Sequence, residues 1–225
     1  MMSDKEDDIL INRFKELGKR ATIKNIITFT DFLNTHEYNL LHNIYLSDVS
    51  TKHYGGYEHF ERGIIAIIPN TLSKSFSYHF PIHCIHFTPL NNRFSDLLTH
   101  RDYLGALMNL GIERSKLGDI IVQVTDTYLF CHEKLSFYLI DNVDRIKHTS
   151  VKAELCEPDK IDIIPNTEWM EGTVSSMRLD NILSLAFSIS RTQCQKDIRL
   201  GLVAVNHQLL LQVSQQIFCN DVISY

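Results

Sequence analysis

The five cysteines, Cys84, Cys131, Cys156, Cys194 and Cys219, form no Cys-x-x-Cys pair, and their number is odd. That pattern argues against a disulfide scaffold and for a reducing compartment. No apolar run is long enough to cross a membrane. The opening residues, MMSDKEDDIL, lack the basic region and apolar core of a signal peptide. Internal repeats and low-complexity tracts are also missing. Nor is there a glycine-rich phosphate loop, or a nucleophile beside an activating base. These absences point to a cytoplasmic chain outside the membrane, with no cofactor and no catalytic constellation.

What is present is ordinary in bulk. The 225 residues suffice for two or three small domains, and 44% are hydrophobic and 22% charged. The formal charge is −5. An acidic total does not exclude a polyanionic partner, because local charge decides the contact.

The first part, residues 1–75, starts helical, with Ile9, Phe14 and Leu17 as a partial apolar face. Phe29, Phe32 and Leu33, then Tyr38, Leu40, Leu41 and Ile44, read as a second helical stretch starting near Thr35. Gly55-Gly56 marks a turn. The run Ile64 to Ile68, ending at Pro69, fits a buried strand.

The middle part, residues 76–157, reads as strand Ile82–Phe87, helix Asp102–Leu110, strands Asp119–Val124 and Tyr128–Cys131, helix Glu133–Arg145 and strand Val151–Leu155. That order is β-α-β-β-α-β, the ferredoxin-like (RRM-like) arrangement. Asp102 is expected to cap its helix. His79, His83, Cys84 and His86 invite a metal reading, but their spacing matches no common pattern, and His83 and His86 fall on opposite faces of a strand. No metal is expected. Tyr78, His86 or Phe87 could stack on bases if that sheet face were open, although such aromatics usually fill cores. His100-Arg101-Asp102 matches a kinase catalytic loop in part. Asn109 nevertheless stands seven residues after Asp102 rather than five, and no DFG is present, so that reading is rejected. Residues 158–172 are the candidate linker, with Ile161, Ile163 and Ile164 able to add a strand to either neighbour.

The last part, residues 173–225, is the most informative. Leu179, Ile182, Leu183, Ala186 and Phe187 make one helical stripe. Ser190 is placed to cap a second helix, and Gly201 to close it. On that helix Cys194 and Ile198 face inward, while Arg191, Gln195 and Arg199 share the outer face, with Lys196 beside them. Val203 and Val205 alternate as a strand, with a turn at Asn206-His207. Guanidinium groups on one exposed face grip phosphates. The basic excess from Gly172 to Tyr225 is only +1, and Gln193, Leu202, Ala204 and Gln208 are neutral.

Arg178-Leu179-Asp180, Ser190-Arg191, Gly201, Val203-x-Val205-Asn206 and Asp221-Val222-Ile223 resemble the S4 RNA-binding domain. Leu98 to Arg114 (LTHRDYLGALMNLGIER), then Gly118-Asp119-Ile120, with Gly55-Gly56-Tyr57 and Glu61-Arg62 upstream, resemble the YlmH family of bacterial S4-domain proteins. The resemblance spans nearly the whole chain. It implies an α+β fold of three parts: a small N-terminal α/β domain, the ferredoxin-like domain and the S4 domain. It also implies a non-enzymatic, cytoplasmic, monomeric RNA-binding protein. Its expected partners are 23S rRNA in the large ribosomal subunit and tRNA, in quality control of stalled peptidyl-tRNA. Arg178, Ser190, Arg191, Lys196 and Arg199 would face RNA, with a second contact at His100, Arg101 and Arg114. S4 relatives often continue with a Gly/Arg-rich tail, whereas here Tyr225 follows the last expected strand directly. Two other classes stay open: an RNA-modifying enzyme of pseudouridine synthase or methyltransferase type, and a cell-division adaptor.

Overall fold

A computed structural model describes residues 4–72, 78–91, 96–158, 161, 168–206 and 208–225. The chain divides into two compact units, Lys5–Ile163 and Ile164–Tyr225. The segments 1–75 and 76–157 therefore contribute to one unit. Most of the candidate linker, including Ile163, Ile164 and Pro165, lies outside the described residues, as does His207 of the expected turn.

The first unit begins with helix α1 (Asp4–Lys24). Phe14 and Ala21 bury one face of it, while Ile9 is 67% exposed and stays outside the core. The stretch Phe29–Leu33 is not helical. Thr28–Phe29 forms strand β1 against Ile67 and Ala66, and Leu33 bridges Gly63. The apolar residues there satisfied a helical spacing, but tertiary pairing with a neighbouring strand won. Helix α2 (Thr35–His42) begins where expected. Asn34 caps it by accepting from the Glu37 N–H at 2.9 Å, and Glu37 accepts from the Asn34 N–H at 2.7 Å. Strand β2 (Val49–Tyr54), polar and half exposed, carries no strong sequence signal. It pairs along all six residues of β3 (Ile64–Pro69), the central strand of the order β1-β3-β2. Every residue of β3 is buried, which explains its continuous apolar run.

The same unit holds a five-stranded antiparallel sheet. In chain order its elements are β4 (Ile82–Pro89), α3 (His100–Asn109), β5 (Leu117–Val122), β6 (Thr127–His132), α4 (Glu133–Asn142), β7 (Arg145–Ile146) and β8 (Thr149–Cys156). The strand order β5-β6-β4-β8 is the ferredoxin-like one, with β7 added at the edge. Ile85, Phe87, Leu129 and Cys131 pack on one face against Tyr103 and Leu107 of α3 and Leu139 of α4. Helix α4 stops three residues before its expected end. Val143 leaves helical geometry, and Lys147, at φ 52°, turns the chain into the β7–β8 hairpin.

The second unit carries α5 (Leu179–Phe187), α6 (Arg191–Arg199) and the short strands β9 (Ala204–Val205), β10 (Gln208–Leu209) and β11 (Ile223–Ser224), ordered β10-β9-β11. Leu179, Leu183, Cys194, Ile198 and Val203 form its core, with Ile182 packed against it; the α6 stripe faces inward, but the expected α5 stripe does so only at its start, since Ala186 and Phe187 are exposed. The Ser190 hydroxyl accepts from the Gln193 N–H at 3.2 Å, and Gly201 takes φ +70° after the helix.

One half-buried histidine links the first unit to pH. The His53 ring stacks on Tyr38 at 4.0 Å, and its Nε2 is shielded from solvent without a hydrogen-bond partner. Burial lowers its pKa from 6.5 to about 4. The unfolded chain therefore takes up this proton first as pH falls, and stability drops as pH goes from about 6.5 towards 4. Urea denaturation is expected to show about 2 kcal/mol less stability at pH 5 than at pH 7 from this residue. His53→Phe should flatten that slope, and an unchanged slope in the variant would show that other groups carry it.

Candidate nucleic-acid interface

The second unit is built around one carboxylate. Asp180 stands in the first turn of α5, on the side turned towards α6, and is fully buried. It accepts four hydrogen bonds: from Arg178 Nε at 3.0 Å and Nη2 at 3.2 Å, from Arg191 Nε at 2.8 Å and from Gln195 Nε2 at 2.9 Å. Burial by itself would raise its pKa. The bonds from Arg178, Gln195 and Arg191 overcome that and hold the carboxyl well below the usual carboxylate range. Asp180 thus stays ionised and ties two guanidinium groups to one point. Among the described residues, Arg191 keeps both Nη groups, and Arg178 keeps Nη1, for a further partner.

The outer stripe of α6 therefore divides. Arg191 and Gln195 turn towards Asp180, whereas Lys196 and Arg199 remain exposed. Ser190 is exposed, with its hydroxyl engaged in the cap. A second acid, Asp197, is also buried and accepts from Gln193 Nε2 at 2.8 Å and from the Tyr225 hydroxyl at 2.8 Å. Between Gly172 and Tyr225 two of the three acids are thus internal, while all four cations reach solvent at least in part, so the surface of that segment is more basic than its net +1 suggests.

In the first unit the upstream motifs converge on Asp119 of β5. It accepts from the Tyr57 hydroxyl at 3.0 Å, the Glu61 N–H at 2.7 Å and the Arg62 N–H at 3.1 Å. Arg62 Nε and Arg114 Nη1 both donate to the Leu117 carbonyl, at 3.1 and 2.7 Å, and Arg62 Nη2 donates to Phe32 O at 3.1 Å. Burial and the nearby Arg62 charge lower the Arg114 pKa to about 10. The glycines of these motifs have packing reasons. A Cβ on Gly118 would meet the Phe32 ring at 2.6 Å, and Gly56, at φ +106°, lies against the Phe130 ring. The Tyr57 ring stacks on Phe130 at 4.9 Å.

The trio His100, Arg101 and Arg114 is split. Arg114 is engaged with the main chain, and burial, then the Arg114 charge, lowers the pKa of His100. Arg101 lines a cleft with Asp102, Arg145 and Lys147. Asp102 sits three residues into the N-terminus of α3, and its carboxylate accepts from the Thr99 N–H and hydroxyl, so Thr99 is the capping residue. In β4, His83 Nδ1 meets Ser136 Oγ at 2.8 Å on the helix-covered face. His86 lies on the other face, stacked on Tyr128 at 4.8 Å and bonded to Asp126 at 2.7 Å. Phe87 is core. Among the described residues no His/Cys/Asp/Glu group could hold a metal ion. No described helix is long and apolar enough to cross a membrane.

Two family models match these units. The one described as "Putative RNA-binding domain in YlmH" covers residues 77–160, the ferredoxin-like sheet and its helices, and the S4 domain covers residues 177–223, the helices and strands around Asp180. The chain therefore carries both the RNA-binding domain found in YlmH and an S4 domain, the pair that the YlmH-family resemblance implies. It is 28% identical, over 98% of its length and 85% of the relative's, to the ribosome-associated protein quality control protein P2 of Bacillus subtilis. In fold it matches the cell division protein ylmH from Streptococcus pneumoniae, with a TM-score of 0.57 and 24% identity over 72% of this chain and 98% of that one. In this chain Arg178 and Arg191 of the S4 domain are therefore parts of a buried network as well as surface cations.

That network makes a stability prediction. Arg178→Glu or Arg191→Glu sets a carboxylate against unexposed Asp180 and is expected to cost roughly 3 kcal/mol, melting the second unit early. Lys196→Glu should cost less than about 1 kcal/mol. Thermal melts followed by circular dichroism check both, and equal losses would mean that Asp180 does not organise the unit.

Proposed function

We propose that this protein is a non-enzymatic, cytoplasmic, monomeric RNA-binding factor that associates with the large ribosomal subunit, through 23S rRNA, and with tRNA. Its role would be in quality control of stalled peptidyl-tRNA. The observation that carries the reading is the Asp180-anchored pair Arg178 and Arg191, set at the start of the two S4 helices with N–H groups left for phosphates. Lys196 and Arg199 extend the same basic surface along α6. The name of the Bacillus subtilis relative, a ribosome-associated quality control protein, supports the setting.

Binding of this kind draws on phosphate contacts and on RNA shape, so it weakens with salt. The acids that might serve an enzyme have other duties here. Asp180 is held by two arginines, Asp197 by Gln193 and Tyr225, and Asp119 by Tyr57 and two backbone N–H groups.

The test is co-sedimentation with ribosomal subunits across a salt series, for the natural chain and for Lys196→Glu/Arg199→Glu. These residues carry no part of the Asp180 network, so the fold is expected to survive. The natural chain should travel with the large subunit at low salt. The variant should bind at least about tenfold more weakly, with a shallower salt dependence. Equal binding would place the reader elsewhere, and binding to a cell-division protein without RNA would favour the adaptor reading.

A further inference from the structure

An open cleft of about 470 Å³ lies on the helical side of the first unit, away from the S4 residues in sequence. It is lined by Arg101 and Gly105 of α3, Asn142 at the end of α4, and Arg145 and Lys147 of the β7–β8 hairpin. Three of its side chains are cationic, and the one carboxylate is Asp102. That carboxylate is already committed: Oδ2 accepts from the Thr99 N–H and hydroxyl, and Oδ1 pairs with Lys147 Nζ at 2.8 Å. Among the described residues Arg101 and Arg145 have no ion-pair partner. The cleft thus presents two unmatched guanidinium groups and a third cation fixed at its rim.

A second feature points the same way. Gly105 stands inside α3, where glycine weakens a helix, and its φ is not in the left-handed region. A Cβ there would meet nothing within 4 Å, so no internal packing requires the glycine. The open space beside it belongs to the cleft. A glycine that no protein atom needs, beside unpaired guanidinium groups, suits a ligand that approaches the helix backbone closely.

We propose that this cleft is a second RNA site, taking backbone phosphates on Arg101 and Arg145 with Lys147 held at its edge. Guanidinium forks match phosphate oxygens in pairs. The inference rests on the reading of the chain as an RNA binder, and it assigns Arg145, Lys147 and Gly105 to that work alongside Arg101.

The test is binding of purified bulk tRNA by the full chain across a salt series, followed by fluorescence anisotropy. The variants are Arg101→Ala/Arg145→Ala, Gly105→Ala and Lys196→Glu/Arg199→Glu. The cleft double variant is expected to bind about tenfold more weakly, with the salt slope reduced by about two. Gly105→Ala should raise the melting temperature and still weaken binding several-fold, which separates a binding role from a folding one. Should the cleft variants bind like the natural chain while the α6 variant fails, the cleft inference falls and the S4 reading stands. The reverse outcome keeps the cleft and removes the S4 face, and no tRNA binding at low salt removes both. In a parallel arm, amide shifts of Gly105 and Lys147 follow added inorganic phosphate and adenosine monophosphate. Weak shifts with both, reversed by tRNA, support a backbone site. Tight mononucleotide binding that tRNA does not displace would make the cleft a nucleotide pocket and overturn the proposal.

Discussion

A carboxylate shut away from water has to be matched by donors and by opposite charge, or the unit that holds it does not form. In the S4 unit that carboxylate is Asp180. It cannot be satisfied by α5 alone, because only Arg178 lies near it in sequence. Arg191 and Gln195 come from α6, so the match exists only when the two helices are packed. The same bonds that make the fold specific also aim the guanidinium groups. Stability and the proposed reading surface are therefore one structure, and a change at Arg178 or Arg191 acts on both.

The first unit repeats the rule with weaker burial. Asp119 gathers the Tyr57 hydroxyl and the backbone of the loop at Glu61 and Arg62, bringing the N-terminal segment against the edge of the five-stranded sheet. Arg62 and Arg114 then satisfy the Leu117 carbonyl, and Phe32 covers Gly118. This explains why segments distant in sequence form one compact unit. The acid is the meeting point of motifs that look unrelated along the chain.

The two proposed RNA sites differ in how their cations are held. At the S4 helices the arginines are pre-oriented by a buried acid, which limits the rotamer freedom lost on binding. In the cleft Arg101 and Arg145 are exposed and, among the described residues, have no ion-pair partner, whereas Lys147 is fixed by Asp102. The first arrangement suits a defined docking surface, and the second suits accessory phosphate contacts that add affinity.

Where local chemistry was strong, the sequence was readable. The Ser190 cap, the Gly201 terminator, the apolar run of β3 and the order of the ferredoxin-like elements all stand as their residues imply, because each is set by neighbours within a few positions. The extended course of Phe29–Leu33, the polar strand β2 and the early end of α4 were not readable, since each depends on pairing with another strand or on the hairpin that follows. The same holds for the sites. Arg191 and Gln195 were correctly placed on one face of α6, but that this face meets Asp180 is a fact of helix packing. Asp180 itself left a faint trace, the one charged residue in a mostly apolar helix. The sequence alone determined most of the elements, the family pattern and the supply of cations, because these follow from spacing and residue type. Tertiary structure decided which cations are bound to buried acids and which are left for a ligand, because desolvation and pairing are properties of the packed chain.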